Sequence, residues 1–370
     1  MMKNIAEHVV ERAIEIQQIP APTFSETKRA EFVRDLFADE GLRDISMDEV
    51  GNVYGRWATG EGQLKVGKPL VVSAHLDTVF PGQTSLKVKR NGERIFGPGL
   101  GDNSLGVAAL FGLLWALRER RLQSGGDIWF VANVGEEGLG NLRGMKAVVE
   151  RFGGDVQAYL VLEGLALGHV YHRAVGVKRY RVTARTTGGH SWSDYGKPSA
   201  IHELAKFIVQ LTALELPGHP RTTTNVGKIS GGTSVNVIAS EASLDLDLRS
   251  EGQASLAQLI AAVERLIGHA NRSDIQVEAE VIGQRPAGEM SPTHPLVNLA
   301  EECLREQGLN PILTSGSTDA NVPLSKGYPA VVLGISTGGS AHTVKEYIHT
   351  EPVEKGMEQL VRFVERVWSQ

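Results

Sequence analysis

Short apolar runs alternate with amphipathic segments over both ends of the chain. The apolar runs are too short for helices and are typical of strands buried on both faces. They lie at residues 70–74, 127–134, 159–162 and 330–335. The segments between them have apolar residues at helical spacing, at residues 2–18, 26–40, 105–120, 295–307 and 354–368. Buried strands that alternate with helices predict an α/β fold with a mostly parallel sheet.

A different pattern occupies residues 175–287. Strands are predicted at 177–186, 222–229, 241–249 and 275–281, and helices at 199–214 and 255–271. The strands alternate between apolar and polar residues, which is typical of a sheet with one covered face. The order β-α-β-β-α-β predicts a ferredoxin-like α+β domain. We therefore expect one discontinuous domain, residues 1–174 and 288–370, into which a second domain is inserted.

Composition narrows the class of protein. A length of 370 residues suits two domains. A net charge of −5 argues against a nucleic-acid partner. The single cysteine, Cys303, excludes an internal disulfide and a thiolate metal site. The longest apolar stretch, residues 106–117, is shorter than the roughly 20 residues of a membrane span, and the first 20 residues resemble an amphipathic helix rather than a signal peptide. We expect a cytoplasmic protein with no membrane partner.

Histidines and carboxylates follow the predicted strands, where ligands of α/β sheets bind. These residues are His75, Asp77, Asp102, Glu136, Glu137, Glu163 and His342. Each alone has an ordinary structural explanation; Asp102, for example, precedes a helix as an N-cap does. So many carboxylates at one sheet edge, however, would repel one another without cations. The set therefore predicts a metal centre.

The donors suit two divalent metal ions. Imidazole and carboxylate without thiolate favour Zn²⁺, with Co²⁺ or Mn²⁺ as alternatives. Asp102 would bridge the ions, and a metal-activated hydroxide would be the nucleophile. Glu136 is the expected general base. Asp77, two residues after His75, is expected to accept the second ring N–H of that histidine.

Five motifs, in order, resemble those of the M20 metallopeptidases, a family that includes glutamate carboxypeptidase, peptidase T, acetylornithine deacetylase and aminoacylase. They are residues 73–80 (SAHLDTVF), 99–102 (GLGD), 135–138 (GEEG), Glu163 and 340–343 (SAHT). The resemblance covers nearly the whole chain. It implies that His75 and Glu163 bind one metal, that Glu137 and His342 bind the other, and that Asp102 bridges. It also implies that the inserted domain is a lid through which two chains form a homodimer.

The resemblance further implies substrate-binding residues. His190 would stabilise the oxyanion in the partner subunit's site, Asn236 and Arg249 would grip the substrate, and Gly316 and Ser317 would belong to a substrate loop. Ordinary alternatives are a loop hydrogen bond for His190 and an ion pair with Asp247 or Glu251 for Arg249. Residues 103–106 (NSLG) depart from the Met-Lys-Gly-Gly of many relatives, and the loop at 191–198 is longer.

Both departures lie near the expected pocket, so the sequence does not determine the identity of the substrate. The favoured hypothesis is a peptidase that cleaves small peptides. The alternatives are an N-acyl amino acid deacylase of the same fold and a metal-binding regulatory protein without catalysis.

Overall fold

The computed structural model describes residues 1–58, 67–122 and 124–369. It contains two compact units, Met1–Ala174 with Glu289–Gln370 and Val175–Gly288. The described helices are α1 (Met2–Gln17), α2 (Thr27–Asp39), α3 (Leu105–Glu119), α4 (Arg143–Phe152), α5 (Ala200–Thr212), α6 (Gln253–Ala270), α7 (Pro295–Glu306), α8 (Asn321–Ser325) and α9 (Val353–Arg366). Each unit has its own hydrophobic core.

The strands follow the same chain order. They are β1 (Arg43–Met47), β2 (Val53–Trp57), β3 (Leu70–His75), β4 (Lys89–Asn91), β5 (Arg94–Phe96), β6 (Ile128–Asn133), β7 (Ala158–Glu163), β8 (His169–Ala174), β9 (Gly176–Thr186), β10 (Gly189–His190), β11 (Thr222–Gly231), β12 (Val237–Ile238), β13 (Glu241–Ser250), β14 (Ile275–Arg285), β15 (Gly288–Glu289), β16 (Ile312–Gly316), β17 (Ala330–Gly334), β18 (Gly338–Gly339) and β19 (Tyr347–His349).

The main sheet of the first unit is parallel at its centre. The strand order is β1-β2-β6-β3-β7-β17-β8-β15, with β16 attached to β8. The four neighbours β6, β3, β7 and β17 run parallel to one another, while β1 and β2 add an antiparallel edge. β3 and β17 are buried along their whole length, which explains their continuous apolar sequences. The predicted α/β class with a mostly parallel sheet is confirmed.

Helix α3 packs against β3 and β7 and is buried at nearly every position. Leu100–Glu119 is, within the described residues, the one helical stretch with the length and hydropathy of a membrane span, and 89% of its most apolar window is buried inside the protein. Its apolar character therefore matches the central helix of a folded core. The sequence analysis did not predict a small sheet of order β18-β19-β5-β4. Its strand β19 contacts the start of this helical stretch.

The second unit has a four-stranded antiparallel sheet of order β11-β13-β9-β14. The strands of this sheet and the two helices have the order β-α-β-β-α-β, with α5 and α6 packed against the sheet, while β10 and β12 form a separate pair. The apolar residues of β13 are buried. Its acidic residues form ion pairs with arginines of β9, such as Asp247 with Arg179 at 2.7 Å.

Candidate metal centre

The predicted ligands lie where four parallel strands end. β3 ends at His75, β7 ends at Glu163, β6 is followed by Glu136 and Glu137, and the segment after β17 leads to His342. Because β6, β3, β7 and β17 are parallel neighbours, these ends form one edge of the sheet. Asp102 reaches the same edge from the turn Leu100–Ser104, directly before α3. The fold therefore brings the predicted ligands together.

Asp102 stands between the two histidines. Its Oδ1 lies 3.2 Å from His75 Nε2, and its Oδ2 lies 3.0 Å from His342 Nε2. Glu163 Oε2 is 3.8 Å from His75 Nε2, and Glu137 Oε1 is 3.3 Å from His342 Nε2. Among the described residues, three groups of donor atoms lie within 4.8 Å of one another; one combines His75 with Glu136 and Glu137, and the other two share Asp102. Ligands about 2.05 Å from a tetrahedral zinc ion are about 3.3 Å apart, so the two groups that share Asp102 suit such an ion.

The charges of the cluster also call for cations. Burial raises the pKa of Glu163 well above its usual range, and the negative charges of Asp102 and Glu136 add to this effect. Burial alone would lower the pKa of His75, but its carboxylate neighbours raise it well above the usual value. Hydrogen bonds to Asp102 and Glu137 raise the pKa of His342 to about 10. Two divalent ions would neutralise these carboxylates, so the donor set fits a dinuclear centre.

The hydrogen bonds of the Asp77 carboxylate differ from the expected bond to the His75 ring. His75 Nδ1 lies 3.0 Å from the backbone carbonyl of Asp77 and 3.6 Å from its carboxylate, so the carbonyl takes the ring hydrogen bond. The carboxylate instead accepts the backbone N–H groups of Glu136 and Glu137, each at 2.9 Å, and the Thr23 hydroxyl at 2.9 Å. Burial would raise the pKa of Asp77, but the His75 ring and the two amides hold it below its usual value. Asp77 therefore fixes the segment that carries the expected base and a ligand.

Two residues beside the ligands were missed by the sequence analysis. Buried Glu346 accepts the backbone N–H groups of Gly99 at 3.1 Å, Gly101 at 2.7 Å and Asp102 at 3.0 Å. Burial and the Asp102 charge raise the pKa of Glu346 to about 7. Asn103 donates to Leu162 O at 2.8 Å and accepts from Gly164 N at 3.0 Å, so its amide clamps both sides of Glu163. The available signal was that Asn103 directly follows the motif at 99–102 and that Glu346 comes three residues after the motif at 340–343.

The predicted substrate loop is linked to the same sheet edge. Gly316 is the last residue of β16, and Ser317 follows it. Asn133, the last residue of β6, donates to Asp319 Oδ2 at 2.6 Å, and both side chains are fully buried. The loop 316–321 is therefore fixed beside the end of β6. The sequence analysis assigned no separate role to Asp319 within this loop.

The other predicted substrate residues belong to the second unit. His190 is exposed, and its Nδ1 accepts the backbone N–H groups of Trp192 at 3.2 Å and Ser193 at 3.3 Å, which places the ring proton on Nε2. Asn236 accepts a hydrogen bond from Ser234 at 2.8 Å. Arg249 pairs with Asp247 at 2.6 Å, which is one of the ordinary alternatives considered for it.

The sequence model of Peptidase family M20/M25/M40 matches residues 71–366. The chain belongs to this family. The predicted resemblance is thus confirmed, and the chain is a metal-dependent hydrolase of the peptidase and amidohydrolase type.

Relatives match this M20 chain over nearly its whole length. It is 25% identical to Uncharacterized protein YqjE of Bacillus subtilis strain 168, with 98% of the chain and 96% of the relative covered. The crystal structure of aminopeptidase PepT from Bacillus cereus has a TM-score of 0.81 at 25% identity and covers 98% of both chains. A tripeptidase structure from Staphylococcus aureus has a TM-score of 0.82 at 23% identity and covers 99% of both chains. These matches over nearly the whole chain support the M20 fold.

Proposed function

We propose that the chain is a dinuclear metallopeptidase that hydrolyses an amide bond of small peptides. The observation that carries this proposal is the position of Asp102, whose two carboxylate oxygens face different histidines at 3.2 and 3.0 Å. A carboxylate that bridges two ions needs this arrangement, and two-metal sites are typical of hydrolases. The likeness to aminopeptidase PepT supports peptides as the substrate class.

Each ion would have a histidine, a glutamate and the shared Asp102 as ligands. His75 and Glu163 would complete one set, and His342 and Glu137 the other. When bound, two zinc ions would polarise the amide carbonyl and lower the pKa of the bound water to near neutrality. Glu136 would accept the proton of the attacking water and deliver it to the leaving amine. Its backbone N–H is held by Asp77 at 2.9 Å, which keeps this base in a fixed position.

Residues of the second unit would complete substrate binding. His190 would donate from Nε2 to the developing oxyanion, because its Nδ1 already accepts two backbone hydrogen bonds. In this proposal His190 acts in the partner subunit's site, and Asn236 and Arg249 hold the peptide together with Gly316 and Ser317 of the first unit. If Arg249 left Asp247 to bind a substrate carboxylate, one arginine–carboxylate ion pair would replace another.

A homodimer through the second unit is part of the proposal. β11 is an edge strand, and Ile229 on it is exposed. Val209 of the neighbouring α5 and Val235 of the loop after β11 are exposed as well. An unpaired strand edge beside apolar side chains is typical of a surface that pairs with another chain.

The test combines metal analysis with a substrate screen. Purified protein loaded with zinc, cobalt or manganese would be analysed for metal content and incubated with tripeptides, C-terminally blocked tripeptides and N-acyl amino acids. We expect two ions per chain and cleavage of free tripeptides that a chelator abolishes. Preferred cleavage of N-acyl amino acids would replace the peptidase by a deacylase. Two bound ions without cleavage of any substrate would indicate a regulatory protein.

A further inference from the structure

Four exposed apolar side chains of the first unit lie close in the chain to residues of the candidate metal centre or to a residue bound to it. Among the described residues of this unit, six large apolar side chains are exposed: Met1, Phe24, Val79, Leu139, Ile312 and Val344. Three of them come two residues after a residue of the centre: Val79 after Asp77, Leu139 after Glu137 and Val344 after His342. Phe24 follows Thr23, which binds the Asp77 carboxylate. We call Phe24, Val79, Leu139 and Val344 the apolar rim.

Three of the rim residues are tied to one carboxylate. Asp77 accepts hydrogen bonds from Thr23 and from the backbone of Glu136 and Glu137, all at 2.9 Å. The segment before Phe24 is also attached to the one before Val79, because Thr78 N donates to Ala21 O at 2.9 Å. Residues two apart have Cα atoms no more than about 7 Å apart. Phe24, Val79 and Leu139 are therefore held close to Asp77 and hence to His75.

Phe24 is supported in its exposed position. Its ring lies over the Arg143 guanidinium at 5.4 Å, and Arg143 is itself fixed by Glu26 at 2.8 Å and by Val50 O at 2.7 Å. The φ of Phe24 is 74°, a left-handed value that is rare for an aromatic residue. Such strain is typical of functional sites, where the surrounding contacts maintain it. The ring is therefore a fixed part of the surface although 62% of Phe24 is exposed.

We propose that the apolar rim binds the apolar side chain of the substrate residue that adjoins the scissile amide. The substrate must lie against the metal ligands, and the rim residues are their close neighbours in the chain. Exposures of 62% for Phe24, 39% for Val79, 55% for Leu139 and 66% for Val344 leave apolar area that a ligand would remove from water. The enzyme therefore prefers peptides with Leu-sized side chains to peptides with Ala or Asp. This inference rests on the proposed peptidase function and specifies its substrate.

The test compares substrates that differ in one side chain. Zinc-loaded protein would be assayed with Leu-Gly-Gly, Ala-Gly-Gly and Asp-Gly-Gly, and in parallel its affinity for the hydroxamates of leucine and alanine would be measured by calorimetry. Because a methylene in an apolar pocket changes kcat/KM about tenfold or more, we expect Leu to exceed Ala by at least about tenfold. The rim variants are Leu139→Asn and Val79→Thr, which keep the size of the side chain. The matched control is Ile312→Thr, at the first residue of β16, which is three strands away from β7 and Glu163 in the sheet.

We expect each rim variant to reduce the Leu-to-Ala ratio about fivefold or more, in kcat/KM and in hydroxamate affinity, with unchanged metal content. Ile312→Thr should leave both ratios unchanged. Ratios that stay constant in the rim variants while the melting temperature falls would overturn the proposal, since the rim would then pack against protein. If no peptide is cleaved but the hydroxamate ratios change as expected, the peptidase function fails and the apolar site stands.

Discussion

Glu346 accepts the backbone N–H of Asp102 at 3.0 Å, so the residue between the two histidines is held by a buried carboxylate. The same side chain binds the N–H groups of Gly99 and Gly101. Glu346 also lies four residues after His342 in the chain. It thus connects the segments that supply Asp102 and His342, two members of one proposed ligand set.

Replacement of this carboxylate should weaken metal binding. In Glu346→Gln, the amide NH₂ faces backbone N–H donors, so at least one of the three hydrogen bonds is lost. We expect metal affinity to fall about 10–100-fold, as for other groups that orient metal ligands. Competition with a chromophoric chelator measures this change.

Glu203→Gln is the matched control for Glu346→Gln. Glu203 is a buried carboxylate of the second unit that pairs with Lys206 at 2.7 Å and Arg272 at 2.8 Å. Its replacement should lower the melting temperature and leave metal affinity unchanged. Equal metal affinities in wild type and Glu346→Gln would show that Glu346 does not position Asp102.

Adjacent glutamates should separate catalysis from metal binding. Glu136→Gln removes the proposed base and keeps the ligands, so we expect two bound metals and a loss of kcat of about 10²–10⁴-fold. Glu137→Gln removes a proposed ligand and should lower metal content together with activity. Metal analysis and kcat of both variants provide the check. A near-normal kcat in Glu136→Gln would exclude it as the base.

His294, which is not part of the metal centre, should make the stability of the fold sensitive to acid. Its Nδ1 accepts the Leu296 N–H at 3.1 Å at the start of α7, and burial lowers its pKa below 6.5. The folded state therefore binds fewer protons than the unfolded state, so this contribution is complete above pH 6.5 and is lost as the pH falls through the folded pKa. His294→Asn, which retains an N-cap acceptor, should have a smaller loss of melting temperature between pH 7 and pH 5. An identical loss in both proteins would contradict the assignment.

The positions of the proposed ligands at the sheet edge were predictable from the sequence because these residues follow apolar strands. Continuous runs such as residues 70–74 mark buried parallel strands, and the position of His75 or Glu163 at a strand end follows from them. The partners of the ligands were less accessible. Glu346 reaches Asp102 across 244 residues of chain, and no periodicity encodes such a pairing.

Local geometry also limited the prediction for Asp77. Its spacing from His75 was correct for a ring hydrogen bond, but the backbone carbonyl occupies that position at 3.0 Å. The edge strands β1 and β2 were missed for a related reason. β1 is half exposed and has no sustained alternation, so its pairing with β2 is determined by tertiary contacts.

Asn103→Ala should affect one metal more than the other. The Asn103 amide holds Leu162 O at 2.8 Å and Gly164 N at 3.0 Å, and these two groups flank Glu163. Its removal leaves both buried backbone groups without this partner, at a cost of about 1–3 kcal/mol each. Glu163 loses its fixed position, whereas Glu137 and His342 retain theirs. We expect metal titration by calorimetry to show one tight site and one site weakened about tenfold or more.

Asn271→Ala is the control, because its amide clamps the backbone of Val277 in the same way, at 2.7 and 2.8 Å, in the second unit. This variant should lose stability and retain two equal sites. If Asn103→Ala also retained two sites of unchanged affinity, the Asn103 clamp would act on stability alone, and Glu163 would be positioned by β7 itself.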